Sequence, residues 1–278
     1  MTTGFDIVIC SGGAQVSRLR RLLPRVAPFG TVHLASSYLQ RRQFEELRPW
    51  VDVLHEPQHH PDGYQNFRLF CIRDVNWIGE APYFIKLDTD VEVGDDWIDY
   101  VEEALEAHPD AVLIGTHEGS NKIDYDISGS LVRRKLGGDV RIRNGLKVNG
   151  SFYVGKTSFF REHDATMQTL HDLIYAFKDG HRVRPSHMHL DRDETPMVED
   201  TVNLRGVCAL RAGTASEDNV RCLAAHHVGA GKRLHVLNPG NRVRVPDKAD
   251  TPRRWKLAKK WMRSRAGVSW SSTKKSNQ

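Results

Sequence analysis

Two carboxylates two positions apart, in Leu87-Asp88-Thr89-Asp90, directly follow the apolar run Tyr83-Phe84-Ile85-Lys86. A short apolar run of that kind reads as a buried strand, and in an open parallel sheet ligands bind in the crevice beyond the carboxyl ends of the strands. Carboxylates at i and i+2 on a chain leaving a strand can both turn toward one hard cation. Their oxygens suit Mn²⁺ or Mg²⁺, whose remaining positions are filled by water and phosphate oxygens. A solvated strand-end turn uses the same residue types, so the surroundings of Asp88 and Asp90 must decide between the two.

The next chemistry-bearing groups lie far downstream. Glu199-Asp200 could deprotonate an acceptor hydroxyl; an Asp ahead of a helical run is also a good N-cap. In His226-His227-Val228-Gly229-Ala230-Gly231-Lys232, a neutral imidazole could ligate a metal and Lys232 could face a developing negative charge. On a strand His226 and His227 would point to opposite faces, and a core or capping histidine is the competing reading. Ser11-Gly12-Gly13 ends the first apolar run, where small residues let a ligand approach the backbone.

The Asp-x-Asp after three βα units, with the acid-rich helix start Gly94-Asp95-Asp96-Trp97, resembles the nucleotide-sugar glycosyltransferases of the GT-A fold. Three more segments resemble that family in order: Val148–Val154, like the strand lining the acceptor side of the cleft; Glu199-Asp200, like its Glu-Asp element opening a helix; and His226-x-x-Gly229-x-x-Lys232, like its late His-x-x-Gly-x-x-Lys element. The resemblance covers roughly residues 5–235. It implies a GT-A fold, a Rossmann-like mixed α/β sheet with helices on both faces. It implies a nucleoside diphosphate sugar as donor, uridine being the commonest base, and Mn²⁺ or Mg²⁺ held by Asp90, Asp88 and His226. Asp88 could instead contact the ribose. Ser11, Gly12, Asn66 and Arg68 would line the donor, Lys232 would contact its diphosphate, and Asp200 or Glu199 would act as base. His226 fits the spacing better than His227. The Glu-Asp element resembles inverting members and the late element retaining ones, so the stereochemistry stays open.

These residues need elements to hold them. The chain predicts strands at Phe5–Cys10, Thr31–Ala35, Val51–His55, Tyr83–Leu87 and Ala111–Gly115. Helices are expected over about Gln15–Leu23, Tyr38–Leu47, Tyr64–Asn76 and Trp97–Ala107. Such alternation implies crossovers and a mainly parallel sheet. Residues 117–147 are polar and read as a loop-rich insertion with short strands. A strand follows at Val148–Val154, helices at Ser158–Lys178 and Asp200–Arg211, and a last strand at Asn219–Ala225. Residues 180–198 read as a loop.

With 278 residues, 39% hydrophobic and 27% charged, the chain can bury one large α/β core. No run approaches the roughly 18 apolar residues of a membrane span, and no basic segment precedes the first apolar run, so a cytoplasmic protein is expected. Cys10, Cys71, Cys208 and Cys222 form no CxxC pair and read as free thiols. The net charge of +5 is uneven: residues 251–278 carry +9 with no acid, leaving residues 1–250 at −4. The chain therefore divides into a catalytic domain, 1–250, and a basic tail, 251–278. In the tail Trp255, Ala258, Trp261 and Met262 fall at helical spacing, as in a basic amphipathic helix able to meet an anionic membrane or nucleic acid; packing on the domain explains the same pattern. The acceptor is left open among a glycan, a lipid-linked glycan, a protein and a modified DNA base. The alternative reading is a metal-dependent enzyme acting on nucleic-acid phosphates, with the tail gripping the polyanion.

Overall fold

Side-chain alternation along the strands sets how the molecule is layered. The computed structural model describes residues 4–12, 16–37, 41–55, 79–116, 122–176, 201–206 and 217–244. In β1 (Phe5–Gly12) Ile7 and Ile9 enter one hydrophobic cluster and Val8 the other; in β4 (Tyr83–Asp88) Ile85 and Leu87 part from Phe84 in the same way. Both faces of the sheet are therefore covered. On the first face lie α1 (Val16–Val26), through Leu19, Leu22 and Leu23, and α3 (Trp97–Ala107), through Trp97 and Val101, with α2 (Arg41–Leu47) adding Leu47. The second face carries α5 (Thr157–Glu162), α6 (Asp164–Ala176) and α7 (Glu217–His227).

The main sheet has seven strands in the order β11-β6-β9-β4-β1-β2-β3. Here β2 is Gly30–Ser37, β3 Val53–His55, β6 Leu113–Thr116, β9 Phe152–Lys156 and β11 Leu234–Leu237. β1 pairs in parallel with β2 and β4, β2 with β3, and β6 with β11, while β9 runs antiparallel between β4 and β6. This is the mixed α/β sheet, helices on both faces, that the GT-A resemblance implies. The units β1-α1-β2 and β2-α2-β3 are βα crossovers between parallel neighbours, and the reversed β9 marks where that pattern is interrupted.

The described part of the polar insertion, residues 122–147, holds more regular structure than its polarity suggested. β7 (Lys122–Ser128) and β8 (Val140–Leu146) flank α4 (Ser130–Leu136), and β7 is the centre of a three-stranded antiparallel sheet, β10-β7-β8. Ile123, Tyr125 and Ile127 alternate inward, a period of two that charged neighbours had masked. β10 is Thr201–Gly206, where a helix over Asp200–Arg211 was expected; it pairs with β7 from Thr201↔Ser128 to Gly206↔Ile123. The apolar Val202 and Leu204 alternate with polar neighbours, which is the strand period. The expected strand at Asn219–Ala225 is instead the body of α7. Val220, Cys222, Leu223, Ala224 and Ala225 are all fully buried, and an apolar run buried on every side has no period by which to tell helix from strand. The helix expected over Tyr64–Asn76 lies outside the described residues. Cys10 and Cys222 are free thiols, as expected, and no helix among the described residues is long and apolar enough to cross a membrane.

Candidate active site

The Asp-x-Asp sits at the carboxyl end of β4, in the middle of the sheet. The Asp88 amide donates to Ser151 O at 2.8 Å, and the Val91 amide closes the turn onto Asp88 O at 3.1 Å. That turn presents both carboxylates at the sheet edge, with side chains 40% and 39% exposed for Asp88 and Asp90 respectively, open enough to meet a ligand. Cys10 is the register partner of Asp88, so Ser11 and Gly12, the next residues of β1, reach the same edge; Ser11 is buried there. The structure therefore brings together Asp88, Asp90, Ser11 and Gly12.

Each carboxylate already has a cation beside it. The Lys86 ammonium, on a side chain only 3% exposed, donates to Asp88 Oδ1 at 2.5 Å and also to Gly150 O. It lies 5.8 Å from the centre of the Tyr153 ring. Arg18, from α1, stands 3.6 Å from Asp90 Oδ2. Neither Lys86 nor Arg18 was singled out in the sequence, although a lysine inside an apolar strand was a visible signal. Below Lys86 a second buried cation, Arg221 of α7, donates to the Tyr153 hydroxyl and lies 4.9 Å from the Phe84 ring. The strand under the acids is thus backed by fixed positive charge. Asp88 and Asp90 supply the hard oxygens that a divalent cation takes, and they fit one.

The late motif does not join them. β11 runs parallel to β6, and both run opposite to β9, hence in the direction of β4. Lys232, exposed in the short helical turn Gly231–Arg233 just before β11, therefore lies at the amino-terminal edge of the sheet. The Arg233 carbonyl accepts from the Val112 amide there, at 2.9 Å. The Asp-x-Asp occupies the other edge, the length of β4 away, roughly 17 Å at a strand's rise. The expected contact of Lys232 with a diphosphate beside Asp88 is overturned by that placement. His226 is likewise no partner of Asp88 and Asp90. It sits in the last turn of α7 with Nε2 2.9 Å from Leu146 O, and among the described residues no group of three or more His, Cys, Asp and Glu could hold a metal. The ring fills a slot between two glycines: a Cβ at Gly231 would come within 2.2 Å of its Nδ1, and one at Gly145 within 2.9 Å of its Nε2. Gly229, with φ of +80°, ends α7, and the Ala230 amide returns to Ala225 O at 2.7 Å. His-x-x-Gly-x-x-Lys is here a helix stop clamped by a histidine.

Glu199, Asp200, Asn66 and Arg68 lie outside the described residues.

A second polar group crosses β1, β2 and β3. His33 Nε2 lies 3.2 Å from Asp6 Oδ1 and its Nδ1 3.2 Å from His55 Nε2; the Ala81 amide donates to Asp6 Oδ2 at 3.0 Å. Burial, and then the neighbouring His33, push His55 down from its ordinary 6.5 to about 4.

No protein-family model and no curated protein matches this chain. Among solved structures it is similar to glucosyl-3-phosphoglycerate synthase from Mycobacterium tuberculosis, at 10% identity and a TM-score of 0.48, over 97% of this chain and 82% of that one. It is also similar to the galactosyltransferase LgtC, at 14% identity and a TM-score of 0.41, over 64% and 67% of the two chains. A third is TarS of S. aureus, at 10% identity and a TM-score of 0.39, where 58% of this chain spans about half, 49%, of that one. Likeness at this level is one of general shape, and the chemistry must be read from this chain's own residues.

Proposed function

We propose that the chain is a metal-assisted glycosyltransferase that takes its sugar from a nucleoside diphosphate sugar, with uridine as the base. The observation that carries the reading is the pair Asp88 and Asp90 on an open turn at the carboxyl edge of the central strand, beside the small-residue end of β1. That edge is where an open α/β sheet receives nucleotides. Asp88 and Asp90 would hold Mn²⁺ or Mg²⁺, which when bound supplies positive charge to the departing diphosphate. Lys86 fixes Asp88 from below, so its carboxylate meets the ligand already oriented. Arg18, beside Asp90, adds a positive charge at the rim. Ser11 and Gly12 leave room for base and ribose against the end of β1, with Asn66 and Arg68 assigned to the donor from the resemblance. Glu199 and Asp200 remain the proposed acceptor bases.

The test is Mn²⁺-dependent hydrolysis or transfer from a panel of uridine diphosphate sugars. Asp90→Ala should lose about a hundredfold or more in turnover, while unliganded stability shifts by no more than about 1 kcal/mol, since its partner Arg18 is half-exposed. His226→Ala should do the opposite: donor binding unchanged, stability lower by about 1–3 kcal/mol as Leu146 O loses its partner. Full turnover by Asp90→Ala in the presence of metal would refute the reading at its centre.

A further inference from the structure

Three arginines of α1, Arg18, Arg21 and Arg25, recur at the spacing that stacks side chains on one side of a helix, spread over roughly 10 Å of its axis. They face the two-stranded ribbon of β5 (Glu92–Val93) and β12 (Val243–Arg244), and between helix and ribbon lies a cleft of about 780 Å³. Arg244 lines its far wall; the acids on its lining are Asp90 and Glu92, so four guanidinium groups face two carboxylates. Three of the arginines are tethered. Arg18 is 3.6 Å from Asp90, Arg244 is 3.9 Å from Glu92, and Arg25 donates to Val93 O at 2.6 Å. Arg21 has no partner among the described residues. Arginines on a freely solvated helix face would need no opposing wall; these share a concave space of ligand size with a fourth from another element. Planar guanidiniums bind phosphoryl oxygens in pairs and lose little hydration in doing so.

We propose that this cleft binds a phosphate-bearing small molecule other than the sugar nucleotide, its phosphoryl oxygens held by Arg21 with Arg25 and Arg244 around it. The lining of the cleft includes Asp90 but neither Ser11 nor Asp88, so it adjoins the end of β1 that the nucleotide would occupy without coinciding with it. Binding there requires neither the metal nor the transfer reaction, so the proposal stands independently of the function above. Where the enzyme is a transferase, such a ligand is a phosphorylated second substrate or a phosphorylated effector at the same rim.

Calorimetric titration of the full chain with inorganic pyrophosphate, with EDTA present, tests it directly. The wild type should bind, with affinity falling steeply as salt rises. Arg21→Ala and Arg244→Ala should each weaken binding about tenfold, the size of one charge-assisted hydrogen bond, and Arg21→Glu should abolish it. Lys232→Ala, at the opposite edge of the sheet, should bind as wild type. Repeating the titration with excess uridine, EDTA still present, should leave the pyrophosphate affinity unchanged. Absence of binding, equal affinity in Arg21→Glu, or complete block by uridine would each overturn the proposal. Pyrophosphate binding through Arg21 in a protein that hydrolyses no sugar nucleotide would sink the transferase reading and leave this one intact.

Discussion

Lys86 occupies a position in β4 where an apolar side chain would cost less. Burying an ammonium is expensive unless partners replace its water, and here Asp88, Gly150 O and the face of Tyr153 do so. Its replacement by Met keeps the volume and removes the charge. Lys86→Met should lose about 1–3 kcal/mol of stability, because Gly150 O is left without its donor. Mn²⁺ should bind more tightly, since a cation no longer competes for Asp88, while turnover falls because the carboxylate is no longer held. Tighter metal with slower turnover separates positioning from mere support; unchanged metal affinity, measured by Mn²⁺ paramagnetic titration, would sink the idea. The placement of Asp88 and Asp90 at a strand end was legible in the sequence because acids directly after an apolar run are a local pattern. Their neutralising partners were not read: Arg18 is distant in sequence, and Lys86, though visible as a lysine in an apolar strand, does not show from sequence which acid it meets. His226 misled for a related reason: histidine followed by glycines suits a ligand loop and a helix stop equally, and only the Leu146 carbonyl decides between them.

The Asp6–His33–His55 relay belongs to the scale of elements, because it links three neighbouring strands. His55 is depressed to about 4 in the fold against 6.5 when unperturbed. Between those values the unfolded chain binds a proton that the folded one refuses, so stability is full above about pH 6.5 and falls as pH drops toward 4. His55→Gln should flatten that part of the profile, read as the difference in urea midpoints between variant and wild type from pH 7 to pH 4. Parallel profiles would show that the group is inert. The relay had a faint signature, an acid in the second position of the apolar strand Phe5-Asp6-Ile7-Val8, but its partners come from separate strands. The elements were read well wherever one face is apolar and the other wet: Trp97–Ala107 appears with the expected bounds. They were misread at both extremes of burial. The body of α7, residues 219–225, is buried on every side, Asn219 and Arg221 included, and β7 and β8 hide their alternation among charges.

At the scale of the molecule, charge is divided between a mildly acidic body and residues 251–278, which carry +9. We propose that this tail concentrates the protein on an anionic surface. Its removal should leave hydrolysis of a soluble sugar nucleotide near wild type, because Asp88, Asp90 and Lys86 all precede it. Binding to anionic vesicles should fall sharply, and the intact protein should keep a salt-resistant part of that binding if Trp255 and Trp261 insert. Loss of hydrolysis on truncation would instead make the tail part of the folded body. The reversed strand β9 has a consequence for how such a body is made. β4 and β6 both precede β9 in the chain, yet they are not hydrogen-bonded to each other: the slot between them, one strand wide, is filled only by the later residues 152–156. The Asp88 amide, bonded to Ser151 O, gains its partner only when that slot closes. Until β9 is in place, the carboxylate pair would sit on an unfinished sheet in which neither β4 nor β6 has a partner on the side facing the other.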